Sequence, residues 1–128
     1  MEAHQQINSQ SGVTYAPFGI YWLIWIDARN DGTSTRSLGD TVDFLLKDGS
    51  GNLYTELSDH GYGAETREIA RIFGRHYLNT PVAPGGVTRT LLVFDIPSGA
   101  TPAELIGRRI IGGGASSSDP LRFDLTKK

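Results

Sequence analysis

The chain has no cysteine, which excludes disulfides, thiolate metal sites and cysteine nucleophiles together. It has no long apolar run either. The longest extends from Ile20 to Ile26, far short of the roughly 20 residues that a membrane-spanning helix needs. Charge of one sign is not in excess: the net charge is −2 at pH 7, so no broad basic field exists to attract nucleic acid. The terminal pair Lys127-Lys128 is too short to hold an acidic lipid surface. No serine stands in a Gly-x-Ser-x-Gly elbow, and no His-x-x-x-His or Glu-x-x-His spacing occurs. Residues 1 to 6 lack the basic and apolar regions of a secretory signal, so the chain reads as cytosolic or as a mature or excised segment.

What the chain does have is turn chemistry. Its 128 residues include 16 glycines and 6 prolines, a balance that favours short strands over long helices. The stretch from Pro84 to Pro97 is the most telling. A Pro-Gly-Gly turn launches a strand that sets Leu92, Phe94 and Ile96 on one face, and Pro97 stops it. Ile20 to Arg29 reads as a second strand by its β-branched and aromatic content, closed by Asn30-Asp31-Gly32. Val42 to Leu46 and Leu53-Tyr54 flank Lys47 to Asn52 as a hairpin. Val13 to Tyr15, Leu105 to Ile111 and Leu121 to Leu125 supply further strands, and residues 58 to 63 read as loop. Residues 1 to 12 are polar and read as a frayed arm, leaving 13 to 128 as one domain.

One segment has helical spacing. Ala64 to Gly74 places Ile69, Ile72 and Phe73 on one face, with Glu65 and Glu68 early and Arg71 late. A helix this short must dock on something to persist. Short strands separated by turns, with this one helical insertion near residues 64 to 74, predict an all-β antiparallel sandwich.

Three segments in order resemble a bacterial family of immunoglobulin-like domains called telokin-like, of unknown function and found in secreted and lipoprotein-borne proteins. They are the aromatic strand ending in Asn30-Asp31-Gly32, the hairpin Phe44 to Tyr54 with Leu46, Asp48, Gly51 and Tyr54 in place, and Pro84-Gly85 through Phe94-Asp95-Ile96-Pro97. The resemblance covers about residues 20 to 125. It implies an immunoglobulin-like antiparallel β-sandwich at the bacterial cell envelope or outside the cell, acting as a non-enzymatic binding or assembly module. It supplies no catalytic residue, cofactor or metal.

The aromatic strand raises a question about its second face. If Ile20, Trp22, Ile24 and Ile26 point to the core, then Tyr21, Leu23 and Trp25 point away from it. On the strand after Pro84-Gly85 the same applies to Leu91 and Val93. The resemblance makes the two strands neighbours, so Tyr21, Leu23, Trp25, Leu91 and Val93 join in one apolar patch. Either the helix packs over it, or it is a surface for a protein partner or for self-association, or it binds a ligand.

Other candidates are weaker in pattern. Asp48, Ser50, Asn52, Glu56 and Asp59 have the spacing of a calcium loop, but Leu53 stands where its glycine belongs, so a polar hairpin turn is expected instead. His60 and His76 with nearby carboxylates offer an alternative function, a small metal-binding or hydrolytic domain. A third reading is an intracellular oligomerising domain. Arg67, Arg71 and Arg75 follow i,i+4 steps and form a possible anion-binding face, against the simpler reading of a solvated helix side. Gly112-Gly113-Gly114 has neither a following helix nor a lysine, and reads as a turn rather than a phosphate cradle.

Overall fold

The computed structural model describes residues 1–8, 12–40, 42–60, 63–111, 115–116 and 121–124. In chain order the elements are β1 (Glu2–His4), β2 (Ile7–Asn8), β3 (Thr14–Tyr15), β4 (Ile20–Arg29), β5 (Arg36–Ser37), β6 (Val42–Asp48), β7 (Leu53–Thr55), α1 (Gly63–Ile72), β8 (Pro81–Val82), β9 (Val87–Ile96), β10 (Pro102–Ile111), β11 (Ala115–Ser116) and β12 (Leu121–Asp124). Short 3-10 turns occupy Leu38–Asp40 and Leu57–His60. The protein is mostly β, and its sheets are antiparallel.

Two larger sheets face each other. The first has the order β1-β4-β9, and the second runs β7-β6-β10, with β12 and β11 also pairing β10. β4 and β9 pair in unbroken register from Ile20↔Ile96 to Arg29↔Val87, which aligns Leu23 with Val93 and Trp25 with Leu91. Their even-numbered side chains, Ile24, Leu92, Phe94 and Ile96, meet Phe44, Leu46 and Leu105 of the second sheet in one buried cluster. That is the inward face expected from alternation along the strands.

The odd-numbered face is buried too, by a different neighbour. Tyr21, Leu23, Leu91 and Val93 share a cluster with Ile7, Leu57, Ile69 and Ala70, so α1 and the Leu57–His60 turn form a third layer. Fully burying an aliphatic side chain is worth about 1.5–3 kcal/mol, so several at once outweigh the poor intrinsic stability of a helix this short. The buried stripe of α1 is Thr66, Ile69 and Ala70, with Phe73 packing beyond its end. Ile72 is 37% exposed and does not join the stripe; the spacing i, i+3, i+4, i+7 from Thr66 is the one that meets the sheet.

Gly74 ends the helix with φ of 67°. Its N–H reaches Arg71 O at 3.0 Å, and Arg75 N–H reaches Ala70 O at 2.8 Å, the paired bonds of a Schellman cap that glycine accommodates without strain.

Within the segment expected as a frayed arm, the described residues carry two short strands. β1 pairs with β4 as Glu2↔Leu23, Ala3↔Trp22 and His4↔Tyr21, and β2 pairs with β3. Ile7 is buried in the outer cluster. One apolar residue in a polar run suffices, because strand pairing satisfies the backbone whatever the side chains are. Residues 58 to 60 of the segment expected as loop belong to the Leu57–His60 turn, which lays buried Leu57 against the same cluster.

Candidate functional site

The expected apolar patch is not an open surface. Tyr21, Leu23, Leu91 and Val93 are each 1% exposed or less. Trp25, half-buried, meets Phe73 edge-on with ring centroids 6.1 Å apart. The helix therefore covers this face, the first of the three readings that its apolar residues allowed. Tyr21 also donates its phenol hydrogen to Glu65 of α1. Burial first, and then the Glu65 bond and charge, push its pKa far above the ordinary tyrosine value.

The arginine face does not assemble as expected. Gly74 ends the i,i+4 stripe, so Arg75 lies past the helix and turns to Asp27 at 3.4 Å. Arg71 pairs with Glu68 at 3.3 Å. Arg67 is exposed on the helix with neither of the other two charges available to help it.

The calcium pattern also comes apart, because Asp48 and Glu56 are turned toward backbone N–H groups. Asp48 accepts from Ser50 N–H and Asn52 N–H, both at 2.9 Å, from Asn52 Nδ2 at 3.1 Å and from the Tyr54 hydroxyl at 2.9 Å. Desolvation raises the Asp48 pKa, but the bonds from Asn52, Tyr54 and Ser50 together outweigh it and leave the pKa below the usual carboxylate value. The same bond, with burial, raises the Tyr54 pKa. Glu56 points elsewhere. It is fully buried and accepts from Val93 N–H at 3.1 Å, Ser58 N–H at 2.8 Å and the Ser58 hydroxyl. The loop is a hairpin turn organised by Asp48, and Glu56 belongs to the edge of β9.

His76 is exposed, and its backbone does the pairing: its N–H meets Arg89 O and its C=O accepts from Leu91 N–H, both at 2.9 Å. The side chains of Asp59 and His60 lie outside the described residues, as does the Gly112-Gly113-Gly114 run. Among the described residues, no group of three or more His, Asp or Glu side chains is placed to hold a metal ion.

A site that residue patterns did not indicate lies where β4 ends. A cleft of about 410 Å3 is lined by residues of the 28–38 segment together with Val82 and Thr88. Asn30 builds it. Its backbone N–H reaches Gly86 O at 2.9 Å and its C=O accepts from Gly85 N–H at 2.7 Å. Its amide Nδ2 donates to Ser34 O at 2.9 Å and Val82 O at 2.8 Å, while Oδ1 accepts from Gly32 N–H at 2.9 Å. One side chain thus holds the 30–34 loop against β8, an Asx turn extended across the fold. The floor is buried Ser37, Val82 and Thr88; exposed Arg29 and Arg36 stand on the rim. Arg29 is paired with Asp31 at 3.1 Å. Arg36 has no carboxylate partner among the described residues. The sequence signal was Asn30-Asp31-Gly32, legible as a turn, but nothing in it revealed that Val82 and Thr88 would close the other wall.

A second, more open hollow of about 660 Å3 lies at the opposite end of β4, beside Phe18, which is 95% exposed. Asp95 holds it there by accepting from Phe18 N–H at 2.8 Å and Gly19 N–H at 2.9 Å. Gly19 is required at this crossing, since a Cβ would stand 2.1 Å from Ile96 O.

No family model, curated protein or solved structure matches this chain.

Proposed function

We propose that this chain is a non-enzymatic binding module with an immunoglobulin-like sandwich, and that its site is the cleft at Asn30. Strand order supports the fold reading. Taking β1, β4, β6, β7, β9, β10 and β12 as seven successive strands, the first, second and fifth form one sheet. The third, fourth, sixth and seventh form the other. That alternation is the Greek-key order of the immunoglobulin type, with the fourth strand beside the third rather than on the opposite sheet. The resemblance to the telokin-like family adds the bacterial cell envelope as the location, which fractionation of the native host would test.

The observation that carries the binding site is exposed Arg36 in the lining of the cleft that Asn30 frames, with no carboxylate partner among the described residues. A cleft whose lining includes such an arginine suits a small ligand with a carboxylate or phosphate. Against an enzymatic reading stand Asp48, Glu56 and Asp95, each committed to backbone N–H groups. Thermal unfolding against a panel of small carboxylates and phosphates tests the site. A ligand at about 100 times its Kd adds about 2.7 kcal/mol of stability, and Arg36→Ala should remove the shift. No stabilisation by any member, or the same shift in Arg36→Ala, would sink the assignment.

A further inference from the structure

β4 is paired along its whole length on one side only. Toward β9 the ladder runs from Ile20 to Arg29, but toward β1 it covers only Tyr21 to Leu23. Hydrogen-bond parity identifies the groups left over. Leu91 and Val93 send their N–H groups away from β4, to His76 O and to Glu56. The even-numbered residues of β9 therefore face β4, and by the register the even-numbered residues of β4 face back. Trp25, Asp27 and Arg29 consequently aim N–H and C=O at the opposite edge, where no described strand continues β1. The Asp27 and Arg29 side chains there are 63% and 66% exposed.

We propose that this edge pairs antiparallel with the same edge of a second copy, about a two-fold axis at Ala28. Asp27 then stands opposite Arg29 of the partner subunit, and Arg29 opposite the partner's Asp27, each pair exchanging both N–H···O bonds. Two copies that keep their inner faces aligned can centre only on a residue. Centring on Asp27 sets two carboxylates face to face. Centring on Ile26 drives Arg29 against Leu23 of the partner subunit, an edge that β1 already holds. Ala28 at the axis gives opposite charges at both flanks and a small side chain at the crossing. The ladder continues the one that β1 begins, and the contact is small, so the association is weak and concentration-dependent.

Sedimentation and amide hydrogen exchange test this together, from about 10 μM to about 1 mM, the range suited to a weak complex. A monomer–dimer equilibrium is expected, with exchange at Trp25, Asp27 and Arg29 slowing as concentration rises. Arg29→Glu places like charges opposite Asp27 and should weaken the dimer at least about tenfold. The swapped variant Asp27→Arg with Arg29→Asp should restore it, which a dimer formed elsewhere would not do. Circular dichroism checks that each variant folds, and wild-type exchange decides the matter if one does not. A monomer throughout the range overturns the proposal, as does a dimer indifferent to Arg29→Glu. Protection of those amides only by an added, unrelated extended peptide also overturns it, and assigns the edge to a different partner.

Discussion

The Tyr21 hydroxyl donates a hydrogen bond to the Glu65 carboxylate and so ties the central strand of the first sheet to the helix above it. Tyr21→Phe keeps the ring and its packing but loses the bond, and should cost about 1–2 kcal/mol by urea unfolding near neutral pH. The pH dependence has a definite sign. The unfolded tyrosine ionises near pH 10 while the folded one resists, so the contribution is complete below about pH 10 and is lost as pH rises toward the raised folded value. Wild-type stability should therefore fall more steeply than that of Tyr21→Phe in alkali.

Asp48 gives the opposite dependence. Its folded pKa lies below the ordinary carboxylate value, so its contribution is present above about pH 4 and is lost as pH falls through the folded pKa. Asp48→Ala should be less stable than wild type at pH 7, and thermal melts in acid should bring the two together. Amides of Ser50 and Asn52 should exchange faster in the variant, because their acceptor is gone.

Glu56 protects an edge. β9 ends the first sheet, and its Val93 N–H would be an unpaired buried donor without the Glu56 carboxylate. Glu56→Ala leaves Val93 N–H and Ser58 N–H without acceptors and should cost about 3 kcal/mol in chemical denaturation. Glu56→Gln retains one acceptor oxygen and should lose less.

Leu91 distinguishes a covered face from an interface. Beneath the helix, Leu91→Ala opens a cavity and should cost about 2–5 kcal/mol. Its sedimentation should match that of wild type at every concentration at which it stays folded. A change in association without loss of stability would contradict the three-layer packing.

Local pattern carried much of this fold. The span Ile20 to Arg29 forms a strand over the expected residues, and the expected hairpin forms with its turn between Asp48 and Leu53, the first strand running two residues further than its apolar pattern. Helical spacing located α1 to within a residue or two, and the two faces of β4 and β9 followed from alternation. Less legible was the amino-terminal arm, because β1 has almost no apolar signature and is recruited by the open edge of β4. Arg75 looked like the end of a helical stripe until Gly74 turned the chain toward Asp27. Glu56 looked like a calcium ligand because spacing records position and not direction.

Alternation of side chains and the placement of glycine and proline are local properties, so the sequence by itself determined the longer strands, the helix and the two apolar faces of the central pair. What covers the outer face was decided only in three dimensions. Leu23 and Val93 are equally apolar whether a helix, a ligand or another protein lies over them, and burial depends on which surface the chain brings back. The cleft is of the same kind. Asn30 announces a turn, but its amide becomes the frame of a site only because Ser34 and Val82 return within hydrogen-bonding distance.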